Sequence, residues 1–573
     1  MILGRLLSSR SSMAEQSLRD IRIEKRELLE REGIQVHPDR FERTHTLRET
    51  MTLPPGTKVR AAGRVGQLRK FGKLTFATLE NFDGHIQIAL LRDELDADPE
   101  ASKKKYELFS KGVDRWDFVG VDGEMYFTDK GELTIRVREW TLLGKTLQPP
   151  PNKYQGTKDV ETNWRKRYLD LVSNDETRNR FRIRSKSVTA LRTFLDRSGF
   201  VEVETPILNT QQSGALARPF YSHHNALDME LVLRIAPETY LKRLVVGGYD
   251  RVYEFARCFR NEGLAASHLQ EFTMLEFYAA YWNYEDNMAF TEEMLRFAIQ
   301  EAAGTLQIVR GGHTIDFARP WPRRRLADVI LEHSGIDIDE HQDADSLRAA
   351  IFAAKVELDN PKAGRGSLVD QLYKRTARPN LIQPTFIVGH PVDLSPLARR
   401  SDTNPAAVDR FQLVVDTWEV INAYSELVDP LDQRRRFEEQ AELRKKGDDE
   451  AMPVDEDYLT AMEFGMPPIS GWGMGIDRFV ALLTDAPNLR DVVWFPLMKP
   501  LTPEEEAEGA TVSEKPRECR RRSSRGARPS DHARGCAGAA HKVPRQKVVC
   551  ENRAQIARRH VRRGTAALRE SRQ

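Results

Sequence analysis

The stretch ARCFRNEGLAASHLQEFTMLEFY, Ala256–Tyr278, decides how the large part of this chain folds. Both of its ends alternate as strands do, and side chains two apart on a strand share a face. Val252, Glu254, Ala256, Cys258 and Arg260 therefore fall together, as do Phe272, Met274, Glu276, Tyr278 and Ala280. Buried polar groups cost free energy unless paired, so strands that carry Arg260, Glu276 and Tyr278 are built to hold something charged. The predicted arrangement is an antiparallel hairpin joined by NEGLAASHLQE, a longer connection than a hairpin needs. Arg260 offers a forked, permanent charge for carboxylate or phosphate. Phe272 offers a ring face for a base, and Glu276 and Tyr278 offer acceptors for a cation.

The same design recurs downstream. In EVINAYSELVDP, Asn422, Tyr424 and Glu426 share one face and Glu419 is expected on the other. In GWGMGIDRF, Gly471, Gly473 and Gly475 bare one face of a strand so that a ligand can lie against backbone. A helix is expected from near Asp477, with Arg478 at its positive N-terminal end, a natural phosphate site. The glycine spacing is not a dinucleotide fingerprint, and no GxxxxGK[ST] phosphate loop occurs.

Around these strands the chain of 573 residues, 40% hydrophobic and 30% charged, is long enough for two or more domains. Residues 1–57 read as a helical extension, with SLRDIRIEKRELLEREG a helix capped by Ser17 and ended by Gly33. Residues 58–148 alternate in short runs separated by Gly-Lys, Asp-Gly and Asp-Lys-Gly turns, which predicts a small antiparallel barrel. On it Phe76, Thr78 and Glu80 share a face, near Arg69, Lys70 and Lys73. Aromatics among cations bind single-stranded nucleic acid by stacking and phosphate contact, and Gln87 and Glu132 could read base edges. Residues 149–162, with LQPPPNKYQG, read as a linker, 163–505 as a larger mixed α/β region, and 506–573 as a tail.

No apolar run of 18 or more residues argues for a membrane span. MILGRLLSSRSS is too short in its apolar core for a secretory signal; a start at Met13 is the expectation, and an organelle presequence is the other reading. Of the cysteines Cys258, Cys519, Cys536 and Cys550, only the first precedes residue 515, which suits a reducing cytosol without disulfides. No CxxC pair suggests structural zinc, and His223 and His224, adjacent on a strand, point to opposite faces. The net charge of +2 hides a tail, Lys515–Gln573, with 18 Lys and Arg against 4 Asp and Glu. Its composition predicts disorder; a basic nucleic-acid arm and a tail from an altered reading frame or gene fusion are the other readings.

These motifs resemble the class II aminoacyl-tRNA synthetases and, within them, the bacterial-type lysyl-tRNA synthetases. FLDRSGFVEVETPIL, with Pro206, is similar to the family's first motif at a dimer interface; FRNEG…HLQEFTMLEFY is similar to the second and GWGMGIDRF to the third. GALARPFYSHHNALDMELVLRIAPETYLKRLVVGG is similar to the segment that opens the amino-acid pocket, and the likeness spans roughly Glu15 to Pro500. The resemblance implies an α+β fold, with an N-terminal OB-fold barrel binding the anticodon and a catalytic domain on an antiparallel sheet flanked by helices. It implies a cytoplasmic homodimer that uses Mg²⁺ to activate L-lysine with ATP and then charges tRNA(Lys).

By position, the resemblance assigns Arg260 to the α-phosphate and substrate carboxylate, and Arg478 to the γ-phosphate. Phe272 would stack on adenine, with Glu262 and His268 seating the nucleotide. Gly214 and Glu238 would meet the α-amino group of lysine and Asn422 its carboxylate. Glu426 and Tyr278 would bind the ε-ammonium, with Glu276 and Tyr424 lining the pocket. Phe76, Gln87 and Glu132 would meet a uridine-rich anticodon. Two departures stand out: Gln412 replaces one of two metal-binding glutamates, the other being Glu419, and Ser213 and Leu216 alter the pocket-opening turn. An aspartate or asparagine synthetase would need a cationic or amide pocket where Tyr278 and Glu426 make this one anionic. A lysyltransferase acting on a translation factor would lack the barrel. A non-catalytic nucleic-acid-binding relative would not need Arg260, Glu262, Phe272 and Arg478 together.

Overall fold

A computed structural model of the chain describes residues 17–150, 159–212, 214–215, 217–263, 265–445 and 452–502. The tail, the start at Met13 and the altered turn at Ser213 and Leu216 lie outside the described residues. Ser17 caps the helix Leu18–Arg31 by accepting from the Asp20 amide, and Gly33 follows with φ +83°. The charges of this helix are not all on a solvated face. Arg22 is buried, donating to the carbonyls of Arg115 and Thr146.

Five strands close the barrel in the order Lys58–Phe71, Leu74–Glu80, His85–Leu91, Leu133–Gly144, Phe118–Phe127. Alternate residues such as Val59, Ala61, Val65, Leu79, Ile88 and Val121 fill its interior together with Leu29 of the first helix. The span read as linker already contains a helix, Val160–Arg165, because the Asp159 carboxylate accepts from the Glu161 and Thr162 amides and nucleates its first turn.

The second architecture is an eight-stranded sheet. Its order is Arg323–Arg325, Thr385–Pro391, Ala407–Val415, Trp418–Ser425, Ile469–Gly475, Glu271–Ala280, Arg251–Phe259, Val201–Glu202. Only the two outermost pairs are parallel. The predicted hairpin is present, with Glu254 opposite Glu276 and Cys258 opposite Phe272. One face of the sheet is covered by the helices Asp175–Arg197, Tyr284–Ala303 and Ile476–Leu483, and the main core lies between. There Trp472 stacks on Phe277 with ring centroids 4.8 Å apart, an aromatic contact contributing about 1 kcal/mol beyond its buried area. Glycine on both sides of Trp472 then leaves the opposite face of the same strand bare. The barrel meets the rest of the chain where the Arg182 guanidinium stands 5.3 Å over the Phe82 ring.

Candidate active site

Strand register alone assembles the site. Glu254, Glu276, Gly473, Asn422 and Gln412 are successive cross-strand partners, forming one row across the uncovered face. Two residues along, Val252, Tyr278, Gly471, Tyr424 and Arg410 form the next row. Side chains of both rows point the same way. The cavity above them measures about 400 Å³, within the range of small-molecule sites.

Glycine is required where the cavity is tightest. A Cβ on Gly471 would lie 2.0 Å from Glu426 Oε1 and 2.4 Å from the Tyr278 ring. Gly214 has φ +86° and would press a Cβ to 3.2 Å from that of Glu238, so this turn needs the left-handed conformation glycine adopts freely.

One end of the cavity is cationic. Arg260 follows the Arg251–Phe259 strand, its amide held by the Gln270 carbonyl, and its guanidinium lies 5.1 Å over the Phe272 ring. Its Nε is buried with no hydrogen-bond partner, an orphan donor of the kind that a ligand oxygen satisfies. Arg478, near the start of the Ile476–Leu483 helix, donates to the Glu419 carbonyl at 3.3 Å and lies 3.3 Å from His268 Nε2. Desolvation, then the Arg478 charge, lowers the His268 pKa below its usual value. Glu262 also lines this end.

The opposite end is anionic and aromatic. Tyr278 donates to Glu276 Oε2 at 3.2 Å, and Tyr424 donates to Glu238 Oε1 at 2.7 Å. Burial, and then the Glu238 charge, push the Glu276 carboxyl up to about 8. Glu426 follows the Trp418–Ser425 strand and is 1% exposed. Its Oε2 lies 2.5 Å from Lys242 Nζ, an ion pair outside hydrogen-bond angles, while Oε1 has no partner at all. Asn422 lines the middle, where Arg410 Nε donates to its Oδ1 at 2.8 Å.

Glu419 corrects the sequence reading. Leu413 pairs with Ile421, but Val414 pairs with Glu419, so Val420 is an extra, bulged residue. A bulge flips the alternation, turning Glu419 onto the face of Asn422 rather than away from it. There its Oε2 accepts from Gln412 Nε2 at 3.0 Å and Glu419 lines the cavity.

Against this geometry stand the comparisons with known proteins. Residues 159–499 match the family described as tRNA synthetases class II (D, K and N), and residues 59–143 match the family described as OB-fold nucleic acid binding domain. The chain belongs to the class II tRNA synthetases. Its relatives include a protein of Moorella thermoacetica named lysine--tRNA ligase, 44% identical over 490 residues, covering 85% of this chain and 99% of the relative. A protein of the same name from Pelotomaculum thermopropionicum is 46% identical over 484 residues, covering 84% of this chain and 94% of the relative.

On the synthetase's barrel, Phe76 is half-buried on the outer face, its ring 6.3 Å from that of Phe71. Gln87 is on the same face but buried, donating to Thr134 at 3.0 Å and accepting from Arg69 at 3.3 Å. Glu132 is exposed just before the Leu133–Gly144 strand. His223 pairs with Glu230, and among the described residues no three His, Cys, Asp or Glu side chains cluster as metal ligands.

Two site residues of the synthetase escaped the sequence reading. Lys242 sits in an apolar helix, Glu238–Val246, where its spacing of four from Glu238 was the available signal. Arg410, which fixes Asn422, carried none, because its approach depends on strand order.

Proposed function

We propose that this synthetase is a lysine–tRNA ligase, and that Glu426 Oε1, a buried acceptor without a hydrogen-bond partner just behind the pocket-lining Gly471 and Tyr278, carries the reading. An ammonium is the group that such an acceptor selects, together with Tyr278 and Glu276. Left unpaired by a neutral side chain, it would reject that ligand. Glu238 beside Gly214 would take the α-amino group. Arg260 would draw the substrate carboxylate to the α-phosphate of ATP, with adenine stacked on Phe272, Glu262 and His268 seating the nucleotide, and Arg478 on the γ-phosphate.

The reaction so held is an in-line attack. A carboxylate oxygen of lysine bonds to the α-phosphorus, the bond to pyrophosphate breaks, and lysyl-adenylate remains. The 3′ hydroxyl of tRNA(Lys) then attacks the carbonyl, releasing AMP. Two anions must meet, so position and positive charge supply the catalysis rather than a protein nucleophile. The barrel, with Phe76 and Arg69 on its outer face, would seat the anticodon beside Gln87 and Glu132.

Mg²⁺ would be held by the Glu419 carboxylate and the Gln412 amide oxygen, with ATP phosphates completing the shell. One or two protein oxygens plus phosphates are the usual donor set for this ion, which would screen the phosphate charge. Gln412→Glu should lower the Mg²⁺ concentration for half-maximal activity about tenfold or more. Without Mg²⁺ the two facing carboxylates should lower the melting temperature, and added Mg²⁺ should restore it. An unchanged Mg²⁺ response in both measurements would remove Gln412 from the metal site.

Homodimer formation is supported by exposed apolar side chains, Val201 on the Val201–Glu202 edge strand and Ile207 and Leu208 shortly after it in the chain. A monomeric mass in solution would contradict it. Among the described residues no helix is long and apolar enough to cross a membrane; a cytoplasmic location is part of the proposal. The deciding experiment is ATP–pyrophosphate exchange with each amino acid in turn. Exchange with lysine alone is expected; exchange with aspartate, or with nothing, would overturn the assignment.

A further inference from the structure

Behind the anionic end of the cavity lies a buried cation, outside its lining. Lys242 has no exposed surface, and its Nζ lies 2.6 Å from Glu238 Oε1 and 2.5 Å from Glu426 Oε2. The rings of Tyr278, Tyr424 and Tyr458 surround it at 5.9, 5.8 and 5.8 Å. Tyr424 donates to the same oxygen of Glu238. Neither carboxylate is therefore free to turn. Of the Glu426 carboxylate, what is left is Oε1, pressed against Gly471.

We propose that Lys242 is a positioning residue that sets side-chain specificity: as a built-in cation it fixes one oxygen of Glu426 and one of Glu238, closes the far end of the pocket, and leaves one acceptor for a side chain bringing one ammonium. The inference rests on the reading of this pocket as the lysine site. Its physical ground is charge count. Glu238 and Glu276 line the cavity and Glu426 lies behind it, all three buried and acting on one another, and carboxylates that close cannot all ionise without a cation among them. Lys242 is that cation, and its carboxylate partners, Glu238 before Glu426, outweigh burial and raise its pKa, so it stays protonated.

The charged and titratable groups facing this cluster come from every element around it. They are Glu238 on the same helix, Glu276 and Tyr278 on the Glu271–Ala280 strand, Tyr424 and Glu426 on the next but one, and Tyr458 on the Glu456–Glu463 helix. Glu254 and Arg260, from the Arg251–Phe259 strand and its end, act on Glu276. Burial raises the Glu426 pKa and Lys242 pulls it back, less than burial pushes. An incoming ammonium thus favours the ionised form of Glu276, so lysine affinity should fall as pH drops below about 8. Without Lys242 the protons are held more tightly and this loss begins at higher pH.

The test is Lys242→Met, of similar length and without charge, in lysine-dependent ATP–pyrophosphate exchange between pH 6.5 and 9.5. We expect KM for lysine at pH 7 to rise about 30-fold or more, kcat to stay within about threefold, and the pH below which KM climbs to move up by about one unit or more. A KM and pH profile matching the parent enzyme would overturn the proposal. Should the methionine variant not fold, Lys242→Ala is measured with propylammonium, whose ammonium can enter the vacated space. A dose-dependent fall in KM or rise in melting temperature supports the role, and a flat response in both overturns it. A parent enzyme that activates no lysine would instead sink the reading of the pocket, and this inference with it.

Discussion

Glu426→Gln is expected to lower kcat/KM for lysine activation by about 10²–10³, almost all of it through KM. The substitution keeps the shape of the side chain and an oxygen for hydrogen bonding but removes the charge facing the substrate ammonium. A hydrogen bond to a charged group contributes about 1.5–3 kcal/mol, and an ammonium left against a neutral amide is desolvated without full return, which adds roughly 1 kcal/mol. At 1.36 kcal/mol per tenfold, the total falls in the stated range. The change also takes from Lys242 one of its two carboxylates, so a lower melting temperature should accompany the kinetic loss. KM for ATP reads the other end of the cavity and should be unaffected. A variant whose lysine KM stayed within a few fold of the parent would show that the ε-ammonium is bound elsewhere.

Arg260→Lys should cost about 10²–10³ in kcat, with the melting temperature nearly unchanged. The positive charge survives this exchange, yet a lysine ammonium is a point charge without the planar fork that spans two oxygens. Arg260 is proposed to touch both reacting anions, so loss of the fork misplaces the carboxylate against the phosphorus. Preorganised donors of this kind contribute on that scale. Stability should hold because the guanidinium packs over Phe272 and its Nε has no partner within the protein. Single-turnover adenylate formation would check it; a fall of less than about tenfold would reduce Arg260 to a binding residue.

The sequence made the central strands legible because alternation is strong there. The hairpin of Arg251–Ala280 and the bare face of Gly471, Gly473 and Gly475 follow from parity alone, which is why Glu276, Tyr278, Asn422 and Tyr424 meet where expected. Parity failed at Glu419, because one bulged residue at Val420 inverts it and nothing in EVINAY announces a bulge. Gln87 was legible as a barrel residue but not as one already bonded to Thr134 and Arg69, since its partners are 47 and 18 residues away. Lys242 was hidden differently. Spacing placed it on the face of Glu238, but its ion pair with Glu426 joins positions 184 residues apart, a meeting that only tertiary packing brings about.

The strand that carries Gly471, Trp472 and Gly473 serves two masters, with the indole in the core and the glycines under the cavity. An amino-acid replacement touches one side or the other, but inserting or deleting a single residue exchanges them, driving the indole into the cavity and opening a hole in the core. Evolution along this segment is therefore confined to substitution. Diversity of length in the lineage should collect in the surface connections, leaving the central strands with an invariant residue count.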